Sequence, residues 1–170
     1  NKMWLGQSLN GRNIFFQIPE YYESYYKIID GKKYAFPKGV VWFTNLDVPK
    51  RSKEMVLYKK YNKEEYFKYE NFNAINVDRS EQIPMDYTGM MGVPITFLHK
   101  YNPDQFEIVG LGISNSGKEI GVRPYSKEHK KYRKEIQKRG AVDGDLYMID
   151  NGDVKVPYAR IVIKNKKVKK

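Results

Sequence analysis

Gly89-Met-Met-Gly-Val-Pro-Ile-Thr-Phe-Leu-His-Lys-Tyr-Asn-Pro-Asp-Gln-Phe-Glu-Ile-Val-Gly110 decides how this chain is read. Pro94-Ile-Thr-Phe-Leu-His-Lys-Tyr101 predicts a helix, with proline in the first turn where no backbone donor is lost. Asn102-Pro103 ends it, because the residue before a proline avoids the helical region. Phe106-Glu-Ile-Val-Gly-Leu-Gly-Ile113 is apolar almost throughout and predicts a buried strand, followed by a flexible Ser114-Asn-Ser-Gly117. A helix next to a buried strand points to a mixed fold. The stretch carries none of the usual catalytic parts.

Working outward, Arg12-Asn-Ile-Phe-Phe-Gln-Ile-Pro19 has strand composition and stops at a proline, which cannot continue a ladder. Tyr21 to Tyr26 is a polar and aromatic connection, and Asp30-Gly31 is a turn signal. Val40-Val-Trp-Phe-Thr-Asn-Leu46 is a second β-rich run and Glu54-Met-Val-Leu-Tyr58 a third. The first two are expected to pair antiparallel across a connection too long for a tight hairpin. Residues 62–76 alternate Tyr, Glu, Lys and Asn with weak periodicity and read as irregular surface, with Ile75-Asn-Val77 a short strand at most.

Toward the C-terminus, Ser126 is an N-cap for a basic helix running to Arg139 and closed by Gly140. Leu146-Tyr-Met-Ile149 and Tyr158-Ala-Arg-Ile-Val-Ile163 are the clearest late strands. Asn151-Gly152 is the strongest hairpin signal in the chain. Residues 164–170 hold five lysines and are expected to fray. No internal repeat is present. The pattern is α+β with mostly antiparallel strands.

The chain has 170 residues, enough for one domain or one domain plus part of another. Hydrophobic content is 41%, but fifteen Tyr and eight Phe can build a core from few residues, since each ring buries a large area. Cysteine is absent, which removes disulfides, Cys-ligated zinc and thiol nucleophiles together. No apolar run approaches the roughly 20 residues needed to span a bilayer. With no charged leader ahead of a long apolar segment, a soluble cytoplasmic protein without membrane partners is expected.

Net charge is +11 and unevenly spread: +3 over residues 1–90 and +8 over residues 91–170. A charge excess concentrated in one half is the footprint of a polyanion binder, although lysine also serves as a plain solubiliser. The excess is densest in Lys127, Lys130, Lys131, Arg133, Lys134, Lys138 and Arg139, against only Glu128 and Glu135. On a helix Lys127, Lys130, Lys131, Lys134 and Lys138 follow three- and four-residue steps and share a face. Such a face can neutralise several phosphates with steep salt dependence. It can equally be a solvated charged helix.

Other chemistry is sparse. His99 and His129 have no evident local partner, and the Asp143/Asp145 and Asp150/Asp153 pairs lie in turn contexts where Asp serves the backbone. No catalytic and no metal-ligating residue is assigned. Gly110-Leu-Gly112 after a strand could cradle a nucleotide, but the third glycine and an immediate helix are missing, so loop glycines are the better account. Asn115, Lys118 and Arg123 could face base edges. Tyr21, Tyr22, Tyr25 and Tyr26 could stack on bases, and are more simply read as stapling a loop to the core.

As an ordered set, Met3-Trp-Leu-Gly6, Lys33-Tyr34, Val41-Trp-Phe-Thr-Asn-Leu46, Leu57-Tyr-Lys-Lys-Tyr61, Ile83-Pro-Met-Asp-Tyr87, the Gly89–Gly110 block and Ala159-Arg-Ile-Val-Ile163 resemble the C-terminal half of the EcoRI-type adenine-specific DNA methyltransferases. Segment 114–157 is less diagnostic. The resemblance implies methyl transfer from S-adenosylmethionine to N6 of adenine in double-stranded DNA, the base being flipped out to become reachable. It also implies the C-terminal portion of a Rossmann-like methyltransferase fold plus a small basic subdomain. Residues 1–61 would be the last strands of the catalytic domain, 62–163 a DNA-facing α+β region, and 164–170 a basic tail.

The family's Asn-Pro-Pro-Phe/Tyr tetrapeptide and glycine-rich donor loop are missing here, and Asn102-Pro-Asp-Gln105 is no substitute. The chain also opens on Asn1 rather than Met. The expectation is therefore a C-terminal fragment, inactive alone and not binding S-adenosylmethionine by itself, whose partners are DNA and an N-terminal catalytic half. DNA contacts are expected from the seven basic residues of 127–139. The alternatives are a free-standing nucleic-acid-binding module without catalytic activity, or an interaction domain whose charge is incidental.

Overall fold

The computed structural model describes residues 5–8, 16–21, 23, 26–35, 41–44 and 53–169. They belong to two compact units, 1–47 and 48–170.

In the first unit, β1 (Leu5–Ser8) pairs antiparallel with β5 (Val41–Thr44). A three-stranded antiparallel sheet runs β2 (Phe16–Gln17), β4 (Lys32–Ala35), β3 (Tyr26–Ile29). This corrects the expected pairing of 12–19 with 40–46. Asp30 (φ 49°) and Gly31 (φ 75°) form a two-residue hairpin turn, both central residues left-handed as the strand twist requires. That hairpin puts β4 beside β2, and β5 pairs with β1 instead. Residues 9–15, 22, 24, 25, 36–40 and 45–52 lie outside the described residues, so the expectations for Tyr22 and Tyr25 do too. Tyr21 is 85% exposed rather than stapled to a core.

The second unit is built on a four-stranded sheet ordered β6 (Ala74–Asn76), β7 (Met90–Pro94), β11 (Arg160–Asn165), β8 (Phe106–Leu111). The β6–β7 pair is parallel and the others antiparallel. A bulge at Val109 shifts the register, with Val162 opposite Gly110 and Ile163 opposite Ile108.

Both faces of the sheet are covered, which the period-2 alternation of β11 makes plain. Ile161 and Ile163 point into one cluster with Ile75, Val77, Met91, Val93, Phe97 and Phe106. Val162 points into the other with Tyr69, Phe72, Ala74, Val122, Leu146 and Met148. Each fully buried aliphatic or aromatic side chain contributes roughly 1.5–3 kcal/mol relative to exposure, so the two clusters dominate this unit's stability. Gly92 is required on β7 because a Cβ there would lie 2.4 Å from the Tyr69 hydroxyl, which crosses the strand at that point.

Several expectations are corrected here. Residues 62–76 are not irregular surface: Tyr66, Tyr69, Asn71 and Phe72 are buried. Tyrosine hides core character because its ring packs while its hydroxyl finds a partner, as Tyr66 does at the Gln82 carbonyl (2.7 Å). Glu54 to Tyr58 forms no strand. The Gln105 side-chain amide takes the place of a neighbouring strand, accepting from Met55 N and donating to Met55 O, both at 2.7 Å.

The expected helix at 94–101 is instead the end of β7 followed by a 3-10 helix, Ile95–Lys100. Ser114-Asn-Ser-Gly117 is not a flexible loop but the start of α1 (Ser114–Glu119), where Gly117 packs directly on Gly144. Residues 164–169 of the tail are held in place rather than frayed. Lys166 N donates to Gln105 O (2.8 Å), Lys169 N donates to Met85 O (2.9 Å), and Lys167 pairs with Glu54. The hairpin at Asn151-Gly152 forms as expected, between β9 (Met148–Asp150) and β10 (Asp153–Lys155).

Candidate nucleic-acid interface

The basic helix exists, but it is shorter than the spacing suggested. α2 spans Lys127–Glu135 and is capped by Ser126, whose hydroxyl accepts from His129 N at 3.0 Å. It stops before Lys138 because the chain turns there: Lys138 adopts φ 53°, and Arg139 N donates back to Arg133 O (2.9 Å). The single cationic face through Lys138 is therefore corrected to a helix face plus a turn.

Lys127, Lys131 and Lys134 are exposed on α2, and Lys138 and Arg139 are exposed in the turn. Lys130, Lys134, Lys138 and Arg139 line one shallow cleft with Gly140 and Ala141. Lys131 is 3.9 Å from Glu135, a loose i,i+4 pair. Lys130 donates to Asp143 at 2.7 Å, and that ammonium hydrogen bond holds the Asp143 carboxyl below its usual range, aided by the Tyr125 N–H (3.1 Å). Lys130 therefore carries a compensated charge.

Arg133 departs most from expectation. It is 9% exposed and turned inward, so it presents no free guanidinium to a ligand. Its Nε and Nη2 donate to Gly140 O (3.1 and 2.9 Å) and its Nη1 to Gln137 Oε1 (3.1 Å).

Beneath α2 lies a satellite cluster of Tyr125, Tyr147 and Val154. The Tyr125 and Tyr147 rings stack at 4.1 Å, and His129 Nδ1 lies 3.0 Å from the Tyr147 hydroxyl, a partner the sequence did not reveal. Burial pushes the Tyr125 hydroxyl well above its usual range, and that oxygen has no hydrogen-bond partner.

A second groove, lined by Lys68, Asn71, Phe72, Asn73, Gly121 and Arg123, lies elsewhere on this unit. Arg123 there donates to Glu70 O (2.7 Å), while Asn115 and Lys118 contact each other on α1. The structure does not bring these three into one cluster with α2. Sequence reasoning missed two buried polar sites. Asn71 donates to Arg123 O and Asp145 O and accepts from Tyr147 N. Arg160 donates to Asn76 Oδ1 (3.1 Å), which also accepts from the Tyr69 hydroxyl (2.8 Å). Only an Arg inside the apolar run of β11 hinted at the second.

Gly110 and Gly112 do not form a cradle for S-adenosylmethionine. A Cβ at Gly110 would meet Ile120 at 2.4 Å and one at Gly112 would meet Leu146 at 2.3 Å, so both glycines admit protein side chains. Among the described residues no group of three or more Asp, Glu or His is placed to hold a metal ion. No helix among them is long and apolar enough to cross a membrane.

The fold and site define an α+β protein with mostly antiparallel sheets and an exposed cationic helix-turn. The sequence model of the family described as "Adenine-specific methyltransferase EcoRI" matches residues 1–166, and the chain belongs to that family. It is 42% identical over 177 aligned residues to "Type II methyltransferase M.EcoRI" of Escherichia coli, covering all of this chain and 45% of that protein. It is 37% identical over 117 residues to "Type II methyltransferase M.MgeORF184P" of Mycoplasma genitalium, covering 64% of this chain and 37% of that protein. "Type II methyltransferase M.MpnI" of Mycoplasma pneumoniae is 33% identical over 120 residues, with 64% and 36% covered. The chain thus spans less than half the length of these relatives. No solved structure matches it.

Proposed function

We propose that this chain is the DNA-contacting C-terminal part of an N6-adenine-specific DNA methyltransferase of the restriction–modification type. The observation that carries the reading is the family match along residues 1–166, which includes the exposed cations of α2 and its following turn. In this reading Lys127, Lys131, Lys134, Lys138 and Arg139 neutralise backbone phosphates and fix the protein on the duplex without reading sequence. Lys130 is restrained by Asp143, and Arg133 acts from inside. S-adenosylmethionine would supply the methyl group, bound by sequence that the relatives possess beyond the length matched here. No side chain described is given a part in the transfer itself.

A fluorescent duplex titrated with this chain across a KCl series tests the phosphate contacts, and incubation with labelled S-adenosylmethionine tests transfer. The expected result is salt-sensitive binding, with methylation only when the rest of a full-length enzyme is present. Equal affinity at low and high salt overturns the phosphate contacts; methylation by the chain alone overturns the division of labour. A second reading, a nucleic-acid-binding module that works without a catalytic part, draws support from residues 48–170 covering both faces of their own sheet. A full-length protein that binds DNA and never methylates it would favour that module.

A further inference from the structure

Two locally unfavourable features meet at the end of α2. Lys138 sits at φ 53°, a left-handed conformation that glycine adopts freely and a lysine side chain does not. Arg133 is buried, yet its partners are a carbonyl and an amide oxygen, with no carboxylate within ion-pair distance among the described residues. A buried cation without a counter-charge is costly, and strain kept at one turn is a pointer to function. The same turn faces the cleft lined by Lys134, Lys138 and Arg139.

The hydrogen bonds explain how the turn is held. Arg133 grips Gly140 O twice and Gln137 Oε1 once, and Gln137 Nε2 donates to Val154 O (3.0 Å) on β10. The chain from 136 to 140 is thereby fixed to the satellite cluster on one side and to the helix on the other. Lys138 and Arg139 project from a turn whose shape is set before any ligand arrives.

Resting on the nucleic-acid reading, we propose that residues 134–140 form a preorganised seat for one backbone phosphate of duplex DNA, contacted by Lys134, Lys138 and Arg139, with Arg133 as the positioning residue. Preorganisation lets a flexible lysine bind without losing as much freedom on association.

The test is the slope of log affinity against log KCl for a fluorescent duplex, which changes by about 0.9 for each phosphate the protein ceases to neutralise. Lys138→Gly relieves the left-handed strain, so its melting temperature should equal or exceed that of the parent. Removing all three contacting cations, as Lys134→Gln/Lys138→Gly/Arg139→Gln, should lower the slope by about 0.9. Arg133→Gln should lower the slope in the parent chain but not further in that triple background. A purely structural Arg133 would lower the melting temperature and leave the slope alone. An unchanged slope for the triple variant overturns the seat, and an equal fall for Arg133→Gln in both backgrounds overturns the positioning role. If Lys127→Gln/Lys131→Gln lowers the slope while the triple variant does not, the nucleic-acid reading stands and this seat falls; a salt-independent parent sinks both.

Discussion

At the scale of single residues, buried polar groups set the sharpest expectations. Asn71 satisfies three backbone groups from two distant segments, one at Arg123 and two at Asp145 and Tyr147. Asn71→Ala leaves them unpaired in a buried site, and each unsatisfied group costs about 1–3 kcal/mol. A loss of about 3 kcal/mol or more in urea denaturation is expected, and a loss below about 1 kcal/mol would show that water replaces the amide. Asp143 makes a different prediction because it titrates. Its folded carboxyl is held below the usual value near 3.9, chiefly by the Lys130 ammonium, so its contribution is whole above about pH 4 and drains away as pH falls through the folded value. Asp143→Asn should therefore flatten the acid side of a melting-temperature profile below pH about 4 and leave its shape near neutrality unchanged. A profile with the parent's acid limb would mean the carboxylate is no better held in the folded chain than in the unfolded one.

At the scale of elements, caps and turns decide what forms. Ser126→Ala removes the hydroxyl that accepts from His129 N and should cost about 1 kcal/mol, read as a lower midpoint in urea. Gly152→Ala should also cost about 1 kcal/mol, through conformation alone: φ is 84° and no atom stands within 4 Å of an added Cβ. A neutral Gly152→Ala would mean the hairpin shifts to another turn type at no cost. These elements are the ones the sequence made legible, because Ser126, Asn151-Gly152 and the apolar run 106–113 act through near neighbours. The strand 106–113 appeared as β8, shortened to Phe106–Leu111. What stayed hidden depends on distant partners. Nothing within residues 54–58 announces that Gln105 will stand in for a strand, and nothing near Gly117 announces Gly144. The cationic cluster was legible as charge, but its division into exposed lysines and an inward Arg133 was not. Helical spacing places residues on a wheel and cannot foresee that a carbonyl at Gly140 will draw one of them in.

At the scale of the molecule, cover is unequal, and stability should be unequal with it. β11 is flanked by β7 and β8 and buried on both faces, with Val162 and Ile163 wholly inaccessible. α2 rests on the smaller cluster of Tyr125, Tyr147 and Val154, and its outer face is charged and solvated. Local opening is cheapest where few apolar contacts are broken, so the amides of α2 should exchange through partial opening while those of β11 await near-global unfolding. Native-state hydrogen exchange in low urea measures this residue by residue. Protection at Ile161, Val162 and Ile163 should track the global unfolding free energy, and protection in 130–135 should fall short of it and respond weakly to urea. Adding duplex DNA at low salt should raise protection in α2 and the 136–140 turn selectively, because a ligand stabilises the elements that form its site. Equal protection of α2 and β11 without DNA would show that the satellite cluster belongs to the main cooperative unit. A DNA-induced rise confined to the sheet would place the contact surface away from α2 altogether.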